Sequence, residues 1–308
     1  MATQRTSILR GPGSVKFGSL SLYDADGITA EIESATQQVP SSLSGALDTI
    51  KTDQVGKVTF TPCGQMSADI LTALFPHQTP SIGSSLCGSS DTALTVHSLG
   101  GTKVEFVNAF LSGIPELRLS PVKTAFGPAE FTALVGLGKA PDDENAFVKV
   151  TSATYNGGYP DPSGLTGAQY AGTYGALSIP DTEGGWTVSF ELSTTPQATD
   201  NVGTVDHTLE SLTVRAKCVP LGLTESQILA ALPVASARGA SLRGANDLVI
   251  AGAGGLTVTL KNATLVTGPL QWGNTTLRVG EIGFVAQRAF SSGTAGALYG
   301  VALTPSGN

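Results

Sequence analysis

Part of this 308-residue sequence occurs twice, and that limits what the chain can fold into. A segment around Pro62 and Gly64, continuing through Ile70, Leu71, Ala73 and Leu74, returns around Pro220 and Gly222, continuing through Ile228, Leu229, Ala231 and Leu232, 158 residues further on. A second match follows. Gly100-Gly101 leading to Asn108-Ala109 and Pro115 lies opposite Gly254-Gly255 leading to Asn262-Ala263 and Pro269, 154 residues further on. Two matches in the same order, with a small change of spacing, predict one supersecondary unit present in tandem. The border is expected at 139–145, a polar, acidic stretch containing Pro141. The expected domains are therefore 1–140 and 141–308, each large enough to bury a core of its own.

The unit can be read residue by residue. Residues 58–61 and 212–218 are rich in β-branched side chains and read as strands. Each runs into a proline and then a glycine, which end it. A short helix is predicted next. Ile70, Leu71 and Leu74, like Ile228, Leu229 and Leu232, are spaced to form one apolar face, so these six are the expected helix core. Thr224 and Gln227 fit a capping box, Ser67 is placed to cap the first copy, and Pro76 and Pro233 end the two helices. Two strand-like runs around each Gly-Gly pair, 93–96 with 103–111 and 248–250 with 256–266, predict hairpins. The expected fold is mainly β: two tandem β-sandwich or barrel domains, each with one short flanking α-helix.

The halves differ most ahead of the strand that leads to the helix. Residues 36–50 and 193–207 are polar, punctuated by Gly and Pro, and read as long structureless stretches of the kind that carry function. A Gly/Tyr-rich segment, 155–175, is expected to be an addition covering a surface of the second half.

Little catalytic chemistry is visible. No phosphate-binding loop occurs, and Gly252-Ala-Gly254-Gly255 precedes a strand rather than a helix. Gly83-Ser-Ser-Leu-Cys-Gly88 lacks the spacing of a nucleophile elbow. Asp142-Asp143-Glu144 reads as an acidic linker, and Asp206-His207 has no nucleophile signature beside it. The histidines His77, His97 and His207 show no metal-ligand spacing. Cys63, Cys87 and Cys218 form no CxxC and are expected to be reduced. Trp186 and Trp272 lie in strand-like runs and read as core. No enzyme, cofactor or metal is expected. No apolar run of membrane-spanning length and no signal-peptide core are seen, so no membrane association is expected. With charged residues at only 13%, high glycine and a duplicated β unit, the composition suits self-assembly.

The run Thr59-Phe-Thr-Pro-Cys-Gly64 followed by Ile70-Leu-Thr-Ala-Leu-Phe-Pro76, the later Phe106-Val-Asn108-Ala109, then Pro115-Glu-Leu-Arg-Leu119 and Ala125-Phe-Gly127, resembles the tail tube (major tail) proteins of long-tailed bacteriophages. Gly11-Pro-Gly-Ser-Val15-Lys-Phe-Gly18 belongs to the same pattern. The resemblance covers most of the first half and, through the repeat, much of the second. It implies a β-sandwich or barrel with one flanking helix, and rings, usually hexameric, stacked into a hollow tube that conducts DNA from capsid to host. Two tube domains per chain imply a pseudo-hexameric ring of three chains. The alternative is a true hexamer whose second half is an outward decoration. The resemblance also implies that the polar segments reach the neighbouring ring, which makes Ser41, Ser42, Leu43, Ser44, Gly45, Ile50, Pro196, Asp200, Gly203 and His207 candidate inter-ring contacts. It places the inner wall on 103–111 and 256–266.

The implied partners are further copies of the chain, tail tip or baseplate and terminator proteins, a tape measure protein, and DNA passing without sequence-specific binding. The implied place is the virion, after synthesis in the host bacterial cytoplasm. The charge fits a conduit. The first 140 residues carry nine Lys or Arg against eleven Asp or Glu, and the rest carry eight against thirteen, so neither half is basic enough to hold polyphosphate. Two other readings remain at this point: a β-rich carbohydrate- or receptor-binding tail module, and the tube protein of a contractile secretion-type injection system.

Overall fold

The computed structural model describes residues 2–11, 13–42, 45–63, 68–75, 82–87, 91–122, 124–137, 146–153, 167–199, 203–224, 226–227, 229, 238, 246–252, 256–267, 270–272, 277–286 and 301–304. In chain order the elements are β1 (Ala2–Gly11), β2 (Gly13–Phe17), β3 (Leu20–Asp24), β4 (Ile28–Ser41), β5 (Gly45–Phe60), β6 (Pro62–Cys63), α1 (Ala68–Leu74), β7 (Leu94–Ser98), β8 (Thr102–Phe106), β9 (Asn108–Gly113), β10 (Leu117–Leu119), β11 (Ala125–Phe126), β12 (Ala129–Leu134) and β13 (Val148–Ser152). There follow β14 (Tyr170–Tyr174), β15 (Leu177–Ile179), β16 (Asp181–Thr199), β17 (Gly203–Leu221), β18 (Asn246–Gly252), β19 (Thr257–Thr267), β20 (Leu270–Trp272), β21 (Leu277–Val279), β22 (Ile282–Val285) and β23 (Val301–Thr304). The fold is mainly β, as expected, with its sheets built from antiparallel pairs among the described residues.

One sheet runs β1-β4-β5-β12-β9 and a second β13-β8-β7-β2-β3-β6. In the other half the corresponding strands form one continuous sheet, β11-β10-β16-β17-β22-β19-β18-β14-β15, with β23 also on β19. The joining element is β19, which pairs with β18 as far as Ala263, slipping after Leu260, and with β22 from Thr264. Its counterpart in the first half is broken at Val107 into β8 and β9, which belong to different sheets. The stretch read as one wall strand, 103–111, is therefore two.

The ladders of the two halves have the same register. In the hairpin β4–β5, Ser41 pairs with Gly45, and in β16–β17 Thr199 pairs with Gly203, each residue 158 positions from its counterpart. Both ladders slip at the same two places, after Val39 and after Ala35 in one, after Gln197 and after Ser193 in the other. Such bulges strengthen strand twist, so the two arms bend alike. The first residue of each return strand is a glycine in the left-handed region, Gly45 at φ 78° and Gly203 at φ 82°, where a side chain would be strained. A diagonal ion pair is repeated too: Lys57 Nζ to Glu33 Oε2 at 3.5 Å, and Arg215 Nε to Glu191 Oε1 at 3.2 Å.

The match continues at the base of the arms. Val15 pairs with Val96, which pairs with Val104, while Gly172 pairs with Ile250, which pairs with Val258. Outermost on these strands, Val150 pairs with Val104 and Leu303 with Val258. Across the return strand, Phe60 pairs with Ala129 and Cys218 with Ile282. The hairpin β14–β15 turns at Gly175 as β2–β3 turns at Gly18. Residues 170–175 are therefore the counterpart of 13–18 rather than an addition to the second half; 154–166 lie outside the described residues.

Alternating apolar positions on these strands build one contiguous core. Trp186 lies at its centre, 1% exposed, beside Phe284. A Cβ on Gly172 would run into the Trp186 ring. At the corresponding positions the first half has Val15 and Ile28, so a large residue over a small one replaces two of middle size. In the helix α1, Leu71 and Leu74 are buried and Ile70 packs against the core, as the spacing predicts. Phe75, just past the helix, lies 4.9 Å from Phe190 and 6.2 Å from Phe126 between ring centroids, which ties the helix end to the second half.

The second helix is seen at residues 226, 227 and 229. Its capping box forms as predicted: the Thr224 amide donates to Gln227 Oε1 at 2.9 Å, and the Gln227 amide to Thr224 Oγ1 at 3.4 Å. Leu229 does not belong to a helix core. It is 40% exposed, because the first turn leaves that side chain facing solvent. Ile228 and Leu232 lie outside the described residues, as do Ser67 and the expected border at 139–145. Strands exchange partners across that border. β13 extends the first half's sheet beside β8, and β10 pairs with β16 of the second half. Leu117 opposite Val188 takes the place that Leu9 has opposite Ala30. No disulfide joins the cysteines. Among the described residues no helix is long and apolar enough to cross a membrane.

Candidate functional site

Among the described residues, those singled out at the polar segments lie on the strands and turn of two arms. Ser41 ends β4, Ser42 is in the turn, and Gly45 and Ile50 are on β5. Pro196 on β16 pairs with His207 on β17, and Gly203 begins β17. Leu43, Ser44 and Asp200 lie outside the described residues. The segments read as structureless are thus ladders. The polar composition of 45–51 fits strand residues exposed along their length, which need no apolar alternation.

One arm is covered where the other is bare. The segment 83–87 of the first half lies along the free edge of β17 as a short added strand. The Gly83 amide donates to the Leu209 carbonyl at 2.8 Å, the Leu209 amide to the Ser84 carbonyl at 3.0 Å, and the Leu86 amide to the His207 carbonyl at 2.9 Å. Ser85 forms an antiparallel bridge with Thr208. Edge strands present unpaired amides and carbonyls that recruit such additions. Behind the segment a small apolar cluster forms from Cys87, Phe110 and Leu134, with Val55 and Leu86 packed on it. The His207 ring tilts over Phe110, with centroids 5.1 Å apart.

Asp206 is the polar fastening of this contact. Its Oδ1 accepts the Cys87 amide at 3.2 Å and the His207 amide at 2.7 Å. Burial pushes the Asp206 carboxyl up, but the Ser85 hydroxyl, the Cys87 and His207 amides and the Cys87 thiol outweigh it and hold the group below the usual carboxylate range. Burial and the facing Asp206 charge raise the Cys87 thiol to about 12, so it stays protonated and unreactive. Burial lowers His207, against the opposing pull of Asp206 and Asp53, so the ring is held neutral. A second fastening runs from the first half to the arm tip: Asp53 accepts the Thr204 amide at 3.1 Å and the Thr204 hydroxyl at 2.9 Å.

The arrangement is one of adhesion. Among the described residues no group of three His, Cys, Asp or Glu is placed to hold a metal ion. His97 on β7 and His207 on β17 belong to different sheets. Asp206 and His207, beside which the sequence shows no nucleophile signature, fasten two parts of the chain. The covering segment 83–87 was missed as a functional element. Its signal is in the sequence: Gly83-Ser-Ser-Leu-Cys-Gly-Ser-Ser-Asp91 and Gly239-Ala-Ser-Leu-Arg-Gly-Ala-Asn-Asp247 share Gly, Ser, Leu, Gly and Asp at a spacing of 156.

No protein-family model and no curated protein matches the chain.

Proposed function

We propose that this chain is a structural virion protein that assembles with itself into rings, stacked into a hollow tail tube through which DNA passes. The observation that carries the reading is the repeated register. Two arms 158 residues apart share their turn position, both bulges and the diagonal ion pair, and one half binds the arm of the other through an added strand. A unit repeated in tandem is the simplest origin of that match. A contact running from one unit to the next is heterologous, and such contacts close into rings when the rotation allows. Two units per chain favour three chains per pseudo-hexameric ring. The resemblance to tail tube proteins supplies the tube and its cargo, and a net charge of -7 gives the lumen little means of holding DNA.

Electron microscopy of the concentrated protein, alone and with a tail-tip seed, tests the reading. Hollow end views, with a mass of three chains per ring, are the expected result. A chain that stays monomeric under both conditions overturns it and returns the reading to a binding module.

A further inference from the structure

The bare edge of the first arm has a partner written into the second half. We propose that residues 47–51 of β5 receive segment 239–243 of a second copy as an added strand, so that each copy repeats between chains the contact it already makes within itself. The proposal rests on the self-assembly reading above and names the surface through which it occurs.

Exposure gives the first argument. Every residue from 45 to 51 is exposed, with Leu47 at 67% and Ile50 at 46%. Their counterparts 203–209 are half-buried or buried, and Leu209 is 1% exposed. The two backbones have the same register, so the difference comes from what lies against them.

Sequence gives the second. Segment 239–243, which lies outside the described residues, matches 83–87 in sequence, and both stand ahead of the corresponding strands β18 and β7. Transferring the observed contact by the same spacing sets Ser241 opposite Ile50, as Ser85 is opposite Thr208. The Gly239 amide then faces the Lys51 carbonyl, and the Leu242 amide the Thr49 carbonyl, as Gly83 faces Leu209 and Leu86 faces His207.

Charge gives the third. Asp48 is the counterpart of Asp206 and already holds its neighbour's amide in the same way, Thr49 N to Asp48 Oδ1 at 2.7 Å against His207 N to Asp206 Oδ1 at 2.7 Å. Where Cys87 meets Asp206 within the chain, Arg243 would meet Asp48 between chains. An opposite charge at that position fits an exposed, reversible contact better than a buried thiol does. One fastening does not transfer: at the positions of Asp53 and Thr204 stand Ser211 and Ala46, which leaves only a hydroxyl to accept an amide. The contact between chains is accordingly more polar than the one within them.

The test mixes an Ile50→Cys chain with a Ser241→Cys chain under oxidising conditions and locates the new bond by peptide mapping. A covalent dimer joined between residues 50 and 241 is expected. In parallel, sedimentation velocity follows the concentration at which rings appear. Asp48→Arg or Arg243→Asp alone should raise it by about tenfold or more, and the double exchange should restore it to within about threefold of the unaltered chain. Rings that form without a 50–241 bond, and at the same concentration in the single variants, overturn this edge while leaving the tube reading intact. An unaltered chain that forms no rings, seeded or not, overturns the tube reading and this inference with it.

Discussion

On the second arm, residues 204–209 are half-buried or buried; on the first, residues 46–51 are all exposed. Beneath both, the ladders bulge at the same places and begin their return at a left-handed glycine. Local backbone preference therefore accounts for what the arms share, and the covering segment 83–87 accounts for what separates them. Side chains have followed the cover. Leu209, His207 and Val205 stand where the bare arm has Lys51, Thr49 and Leu47. A strand edge has a fixed supply of amides and carbonyls, and neighbouring side chains decide whether it is satisfied within the chain or kept for another.

The sharpest way to break the comparison is to truncate counterparts. Leu209→Ala removes a buried side chain and should cost about 2–4 kcal/mol. Lys51→Ala removes an exposed one and should change stability by no more than about 0.5 kcal/mol. Urea unfolding, at concentrations too low for assembly, measures both. Equal costs would mean that the added strand does not stabilise the second arm.

The fastening carboxylates come next. Asp206→Asn keeps one acceptor oxygen but loses the charge that serves two amides and a hydroxyl, and should cost about 1–2 kcal/mol. Asp48→Asn should leave the single chain unchanged in the same measurement, since among the described residues its carboxylate meets the Thr49 amide of its own arm and nothing of the other half. If both variants unfold alike, the two arms are fastened alike and the asymmetry fails.

Acid should loosen the same contact. The Asp206 carboxyl is held below its ordinary 3.8, so its contribution is complete above that value and is lost as pH falls through the lowered one. His207 is held below its ordinary 6.5, so the unfolded chain takes up a proton first and stability falls as pH drops from 6.5 toward the folded value. Both act in one direction. The urea midpoint should fall between neutral pH and pH 5, and His207→Gln should flatten that fall. A midpoint that rises on acidification, with the slope unchanged in His207→Gln, would remove His207 from the account.

Much of the β fold was legible, and the reason the rest was not is physical. Ile70, Leu71 and Leu74 declare a helix because their spacing must match a buried face. Thr224 and Gln227 declare its counterpart because a cap needs those side chains at that spacing. The arms hid because their tips lack the apolar alternation that marks a strand, the first being exposed throughout and the second covered along its edge, so a few residues preserve the correspondence, among them Gly45 and Gly203, Asp48 and Asp206, and the pairs Lys57–Glu33 and Arg215–Glu191. Leu229 misled because it continues the apolar pattern into a turn that faces solvent. The segment 83–87 lacks the spacing of a nucleophile elbow. A β-addition is specified by backbone, so its side chains need only be small, with Cys87 buried and Leu86 packed beside it.

The arm glycines offer the finest distinction. At φ 78° and 82°, Gly45 and Gly203 both occupy a conformation that costs an alanine about 1–2 kcal/mol, so either substitution should destabilise by at least that amount. Their surroundings differ. A Cβ on Gly45 would have nothing within 4 Å, whereas one on Gly203 would come to 2.5 Å from the Asp53 carboxylate. Gly203→Ala must therefore also push Asp53 away from the Thr204 amide and hydroxyl, which adds about 1 kcal/mol or more for the bonds lost. The excess of Gly203→Ala over Gly45→Ala, read from urea unfolding of the two variants, isolates the hold that the first half has on the second arm's tip. If the Asp53→Ala change is made first, most of the excess should go, because the bonds and the nearest collision depend on that carboxylate, and only the Thr52 carbonyl, 3.1 Å from such a Cβ, still crowds it. An excess that survives Asp53→Ala undiminished would place the strain in the arm itself, and the two tips would then differ in backbone rather than in the hold of Asp53.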